Sequence, residues 1–287
     1  MADKKIVLSC DSSCDLGPQL CERYNVILHP FCINLGDESF IDGVNITPED
    51  IYDYHARTGN LAKTSATNIA EHEDFFKEHT KDGNDLIFFT ISSSLSANNH
   101  AATLAAEEFD NVYVIDSGNL STGVGLLVIA AAEMIEAGKT AKEICEEIEV
   151  LKTRVNASFV IDSLEYLHKG GRCSALAALG ANLLKLKPCI EVKGGAMSVG
   201  KKYRGLFSKV IPEYVKERLS NPENIETSHV FVTHAGCDDA IVQSAVDMVK
   251  ENLKCDELFV TRAGTTVSGH CGRNTLGVLF IQKTPVE

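Results

Sequence analysis

The sequence predicts an α/β protein in two units: an N-terminal three-layer α/β/α unit with a mainly parallel sheet, then a C-terminal two-layer α+β unit. Three observations carry this expectation. In the first half, short apolar runs alternate steadily with helical patterns, as βα units do. In the second half, two apolar runs flank Gly194-Gly195 and read as an antiparallel hairpin with helices nearby. The 287 residues, 44% apolar and 23% charged, suffice for two ordinary domains with a real core. The change of unit is placed between Val155 and Ser158, giving domains 1–156 and 157–287.

Along the chain, residues 5–9 read as a strand and 17–24 as a helix with Pro18 near its start. A second strand spans 26–33, and 37–41 reads as a short edge strand. Thr47-Pro48-Glu49-Asp50 is a helix start: hydroxyl cap, proline at the first helical position, acids in the first turn. That helix runs to Thr58 and stops at Gly59-Asn60. Residues 69–81 form a helix capped by Thr67 or Asn68, with Phe75 and Phe76 on its apolar side. A strand at 85–90, a helix at 97–109, a strand at 112–115 and a small-residue helix at 120–137 follow. Thr140 opens another helix, through Val155. The second half gives a strand at 159–161, a break at Lys169-Gly170-Gly171-Arg172 and an alanine-rich segment at 174–184. Hairpin strands then occupy 188–193 and 196–204. Helices at 209–219 and 238–252 accompany strands at 229–233, 257–261 and 275–282.

Composition excludes several functions. A net charge of −13, from 40 acidic against 27 basic residues, argues against nucleic acid and anionic membranes as partners. The longest apolar stretch, 124–132, is too short to cross a bilayer, so no stable membrane insertion is expected. Met1-Ala2-Asp3-Lys4-Lys5 runs straight into a strand, which predicts no cleaved signal and a cytoplasmic location. The ten cysteines are then expected to be reduced thiols. Cys271 beside His270 is the nearest approach to a ligand pair, and no second close cysteine pair completes a zinc site, so no metal is expected. No dinucleotide fingerprint, phosphate loop or nucleophile elbow occurs, and no cofactor is expected.

Chemistry concentrates in four hydroxyl-rich turns: Asp11-Ser12-Ser13, Lys63-Thr64-Ser65-Ala66-Thr67, Ser92-Ser93-Ser94-Leu95-Ser96 and Asp116-Ser117. In an open parallel sheet such turns gather at the carboxyl ends of the strands, where ligands bind. Hydroxyls and free helix N–H groups suit an anionic oxygen. One helix cap needs one serine, and the Ser92–Ser96 turn has four, leaving at least one for a ligand. Thr64 is similarly free if Thr67 or Asn68 caps. Asp11 would orient hydroxyls rather than touch the ligand. His270, bracketed by Gly269 and Gly272, permits close backbone approach. Arg172 and Arg204 suit bidentate capture of a carboxylate or phosphate, with surface salt bridging as the alternative.

Taken in order, these motifs resemble the DegV family of bacterial fatty-acid-binding proteins, from Ile6 to Ile281. The residues that carry the resemblance are Cys10-Asp11-Ser12-Ser13-Cys14-Asp15-Leu16, Lys63-Thr64-Ser65, Ser93-Ser94-Leu95-Ser96 and Val114-Ile115-Asp116-Ser117. Leu164-Glu165-Tyr166-Leu167-His168-Lys169-Gly170-Gly171-Arg172, Asn182-Leu183-Leu184-Lys185-Leu186-Lys187-Pro188 and His270 complete it. The resemblance implies a two-domain carrier, not an enzyme, holding one long-chain fatty acid between its domains. Thr64, with Ser65 beside it, and Ser96 would hold the carboxylate, with His270 in the same network. It also implies presentation of the acid to a separate ATP-dependent fatty acid kinase, with Arg172 and Arg204 meeting that partner or its phosphate. Three stretches depart from the family pattern: Ala66-Thr67, Ala97-Asn98-Asn99 and Cys271-Gly272-Arg273. The competing expectation is a serine esterase or thioesterase using Ser96 and His270.

Overall fold

The computed structural model describes residues 5–173 and 186–286; the alanine-rich segment 174–184 and the motif residues Asn182-Leu183-Leu184-Lys185 lie outside the described residues. The chain opens with β1 (Ile6–Asp11), α1 (Gly17–Arg23), β2 (Val26–His29), β3 (Cys32–Leu35) and β4 (Glu38–Ile41). The single strand expected over 26–33 is two strands in two sheets. Pro30 sits at the break, where its fixed φ and missing N–H end the pairing. Next come α2 (Pro48–Thr58), β5 (Lys63–Ser65), α3 (Ile69–Thr80), β6 (Asp85–Thr90), α4 (Asn98–Ala106) and β7 (Val112–Asp116). The predicted start of α2 is present in full. Thr47 accepts from the Asp50 N–H, the Asp50 carboxylate accepts from the Thr47 N–H, and Pro48 follows the cap. Asn68, rather than Thr67, caps α3.

Strands β2-β1-β6-β7 form a parallel sheet in that order. Leu86 and Phe88 face Phe76 of α3 and Ala102 and Ala105 of α4. Cys10, Ile87 and Phe89 face the opposite way, toward α5 (Thr122–Glu136) and α6 (Ala141–Leu151). Three layers result, as the alternating pattern predicts. Antiparallel β4-β3-β5 make a small separate sheet. The segment carrying Thr64 is thus an edge strand and not a turn. It pairs with β3 in the register Ile33 to Thr64.

The second half contributes β8 (Val155–Asn156), β9 (Ser158–Ile161), α7 (Glu165–Gly170), β10 (Leu186–Lys193) and β11 (Ala196–Arg204). It continues through α8 (Phe207–Arg218), β12 (Ile225–Ala235), α9 (Asp239–Asn252), β13 (Glu257–Arg262), α10 (Thr265–Cys271) and β14 (Thr275–Gln282). Its sheet runs β11-β10-β9-β14-β12-β13, with β8 also on β14, and only the β12–β13 pair is parallel. Gly194 and Gly195, at φ 55° and 81°, supply the left-handed two-residue turn that the β10–β11 hairpin needs. Val160, Val232, Val278 and Phe280 face α8 and α9. The alternate residues Phe159, Ile161, Phe231 and Leu279 join the core around α5. Helix α5, with ten buried residues, therefore packs between the two large sheets. No helix among the described residues is long and apolar enough to cross a membrane.

Candidate site between the two sheets

A cavity of about 200 Å³ opens past the carboxyl ends of β2 and β6, where the first half meets the second. Its polar side chains come from separate segments. Thr64 arrives on β5, Ser96 at the end of the serine turn after β6, Thr266 and His270 on α10, and Arg172 just after α7. The remaining wall is largely apolar, with Phe31, Ile91, Leu95, Leu120, Phe159, Leu167, Met197 and Val267 prominent. Leu120, Phe159, Val267 and Cys271 are shared with a second, apolar pouch of about 30 Å³, which reaches Leu279 and Ala235. The larger cavity thus carries the polar groups, and the pouch that adjoins it presents a largely apolar surface.

At the polar end, Thr64 Oγ1 and His270 Nε2 are 3.0 Å apart. Burial pushes the His270 imidazole down to about 4, and the nearby Arg172 guanidinium acts in the same direction. The ring is therefore neutral near pH 7. If it donates from Nε2, the Thr64 hydroxyl accepts and keeps its own hydrogen for a ligand. Ser96 Oγ accepts from the Asn98 N–H at 3.2 Å, which likewise leaves its hydroxyl hydrogen to donate. Arg172 is exposed, and its Nη1 donates to the Gly170 carbonyl at 2.7 Å. Gly170 packs closely on the ring: a Cβ there would lie 3.1 Å from His270 Nδ1.

Thr64, Ser96, His270 and Arg172 therefore share one cavity. Ser65 and Arg204 do not line it. Ser65 follows Thr64 on a strand, so its side chain takes the other face, where its hydroxyl accepts from Asn34 Nδ2 at 2.8 Å. Arg204 ends β11, exposed on the surface. Ser92 serves the fold, its hydroxyl donating to the Gly195 carbonyl at 2.7 Å across to the hairpin turn. His270, bracketed by Gly269 and Gly272, lies in a short helix that the sequence reading did not include. Among the described residues no group of three potential metal ligands occurs, and Cys271 is a buried free thiol. Sequence reasoning passed over the apolar wall. Phe31, Phe159 and Met197 each read as ordinary strand residues, and their only signal is proximity to the hydroxyl turns and hairpin.

Comparison with known proteins places the chain in a family. The family described as "Uncharacterised protein, DegV family" matches residues 5–283. A DegV domain-containing protein of Clostridium acetobutylicum is 30% identical, over 98% of this chain and 99% of its own. Among solved structures, that of fatty acid binding by a DegV family protein from Thermus thermophilus superposes with a TM-score of 0.90. It is 28% identical and covers 97% of this chain and 99% of its own. A stearic acid-binding protein from Eubacterium ventriosum gives a TM-score of 0.81 at 25% identity, covering 98% of both chains.

Proposed function

Since the chain belongs to the DegV family, we propose that it is a carrier holding one long-chain fatty acid between its N-terminal and C-terminal units. In this reading the carboxylate meets the hydroxyls of Thr64 and Ser96 at the polar end, with His270 behind Thr64. The acyl chain runs past Phe159 and Leu120 toward the inner pouch. The observation that carries it is a cavity with donors at Thr64, Ser96, His270 and Arg172 that adjoins a largely apolar pouch. A sixteen-carbon acid buries about fourteen methylenes, so at ~0.8 kcal/mol each the chain offers about 11 kcal/mol before ordering costs. Each headgroup hydrogen bond adds only about 1.5–3 kcal/mol. Chain burial thus supplies affinity, and the hydroxyls set which end faces out.

The carrier would present this carboxylate to a separate ATP-dependent kinase, the carboxylate oxygen being the nucleophile in phosphoryl transfer. Arg172 at the cavity and exposed Arg204 supply cations for that partner or its phosphate. A serine esterase would need Ser96 and His270 as hydrogen-bonded nucleophile and base. Here His270 meets Thr64, and Ser96 accepts from a backbone N–H. Solvent extraction and mass analysis of the purified protein tests the proposal. The expected result is about one fatty acid per chain, with no acyl-ester turnover. Protein that yields no lipid and takes up none, or that hydrolyses acyl esters through Ser96, overturns it.

A further inference from the structure

The Asp11-Ser12-Ser13 turn is absent from the cavity wall, yet its side chains reach both sides of the polar end. We propose that this turn and Asp42 form a positioning bracket, which holds the Ser96 turn and the His270 helix at a fixed separation. The inference rests on the reading of the cavity as a carboxylate site.

One arm starts at Asp11, fully buried at the end of β1. Its Oδ1 accepts from the Ser13 N–H at 3.2 Å and the Ser13 hydroxyl at 2.5 Å. Its Oδ2 accepts from the Ile91 N–H at 2.8 Å and Asn98 Nδ2 at 3.0 Å. Asn98 in turn gives its N–H to Ser96 Oγ. The carboxylate therefore holds both ends of the turn that presents Ser96.

The other arm starts one residue later. Ser12 Oγ donates to Asp42 Oδ2 at 2.8 Å and accepts from the Phe31 N–H at 3.1 Å. Asp42 accepts from the Thr265 N–H at 3.0 Å, the Thr266 N–H at 3.3 Å and the Thr266 hydroxyl at 2.6 Å. Those residues open α10, whose sixth residue is His270. A seven-residue helix is too short to hold itself in place, so its anchors fix where His270 sits. Asp15 adds a third tie, accepting from the Gly264 N–H at 2.8 Å. Consecutive residues Ser12 and Ser13 thus join the two arms. Asp11, Ser12 and Asp42 are positioning residues and touch no ligand.

The test follows the ring resonances of His270, identified by their loss in His270→Gln, and the carboxyl resonance of bound palmitate labelled with carbon-13. Ser12→Ala and the shape-preserving Asp42→Asn should each shift the His270 signals in empty protein. In loaded protein they should move or split the carboxyl signal while palmitate affinity changes less than about threefold, since chain burial dominates it. Ser12→Thr, which keeps the hydroxyl, should restore both signals. Val249→Ala, a distant core truncation in α9, should lower stability and leave both signals in place. Wild-type positions for both signals in Ser12→Ala and Asp42→Asn overturn the bracket. Failure of wild-type protein to bind palmitate overturns the carrier reading, and the His270 signals of empty protein still report on the bracket.

Discussion

The two ends of the cavity are built on opposite plans. The polar end is assembled from side chains on β5, the serine turn, α10 and Arg172 just beyond α7, each hydrogen-bonded to a neighbour. The inner end is walled largely by apolar side chains from the second large sheet, α10 and the loop before α5, such as Phe159, Leu279, Val267 and Leu120. Apolar contact is non-directional and scales with area, so in the proposed carrier the inner end would tolerate varied shapes and supply most of the affinity. Hydrogen bonds are directional and modest in net energy, so the polar end supplies orientation. Affinity and presentation should therefore separate under mutation.

The sharpest way to break the comparison is to place a charge at the inner end. Val267→Asp leaves an unpaired carboxylate in the apolar wall, an expected cost of several kcal/mol. Palmitate binding should fall at least about hundredfold by calorimetry, with thermal unfolding run alongside to confirm that the protein folds. Removing a hydroxyl at the other end should cost less. Thr64→Val or Ser96→Ala should each weaken binding about tenfold, by about 1.5 kcal/mol. In both variants the carboxyl resonance of the bound acid should move further than in any inner-wall variant that still binds.

A third prediction concerns pH. His270 in empty protein titrates at about 4, below its ordinary 6.5, because burial disfavours the imidazolium. Between those values the unfolded chain binds a proton that the folded ring refuses, so His270's contribution to stability falls as pH drops from 6.5 toward about 4, while buried Asp11 and Asp15, pushed up to about 6 and about 7, contribute with the opposite sign. A bound carboxylate favours the charged ring and should raise the His270 titration in loaded protein. A fatty alcohol of equal length should raise it less, as read by NMR of the ring. The smallest effect is expected at Arg204, which lies outside the cavity. Arg204→Ala should change palmitate affinity less than about twofold, as for an exposed charge. Any larger effect should appear only in phosphorylation by a kinase partner.

The same division governs what could be read from the sequence. Helix α2 was legible because Thr47, Pro48 and Asp50 encode its start locally, and the β10–β11 hairpin because Gly194-Gly195 encodes its turn. The alternating βα pattern carried the parallel sheet. Thr64 was read as part of a turn because a three-residue edge strand is too short to show alternation, and its hydroxyl neighbours look like loop. The helix that carries His270 was not read, because Gly269 and Gly272 break its local pattern and buried Asp42 holds it from far away in sequence. The hydroxyls of the site were visible as excess polarity after strands. Its apolar wall was not, since Phe31, Phe159 and Met197 follow the same pattern whether the space before them is filled or hollow.

A crystal structure of the protein grown with palmitate tests the central claim most directly. The account predicts the carboxylate within hydrogen-bonding distance of Thr64 Oγ1 and Ser96 Oγ, and the acyl chain extending past Phe159 toward Leu279. A carboxylate at the inner end, or a chain bound outside the cavity with the void unchanged, would contradict it.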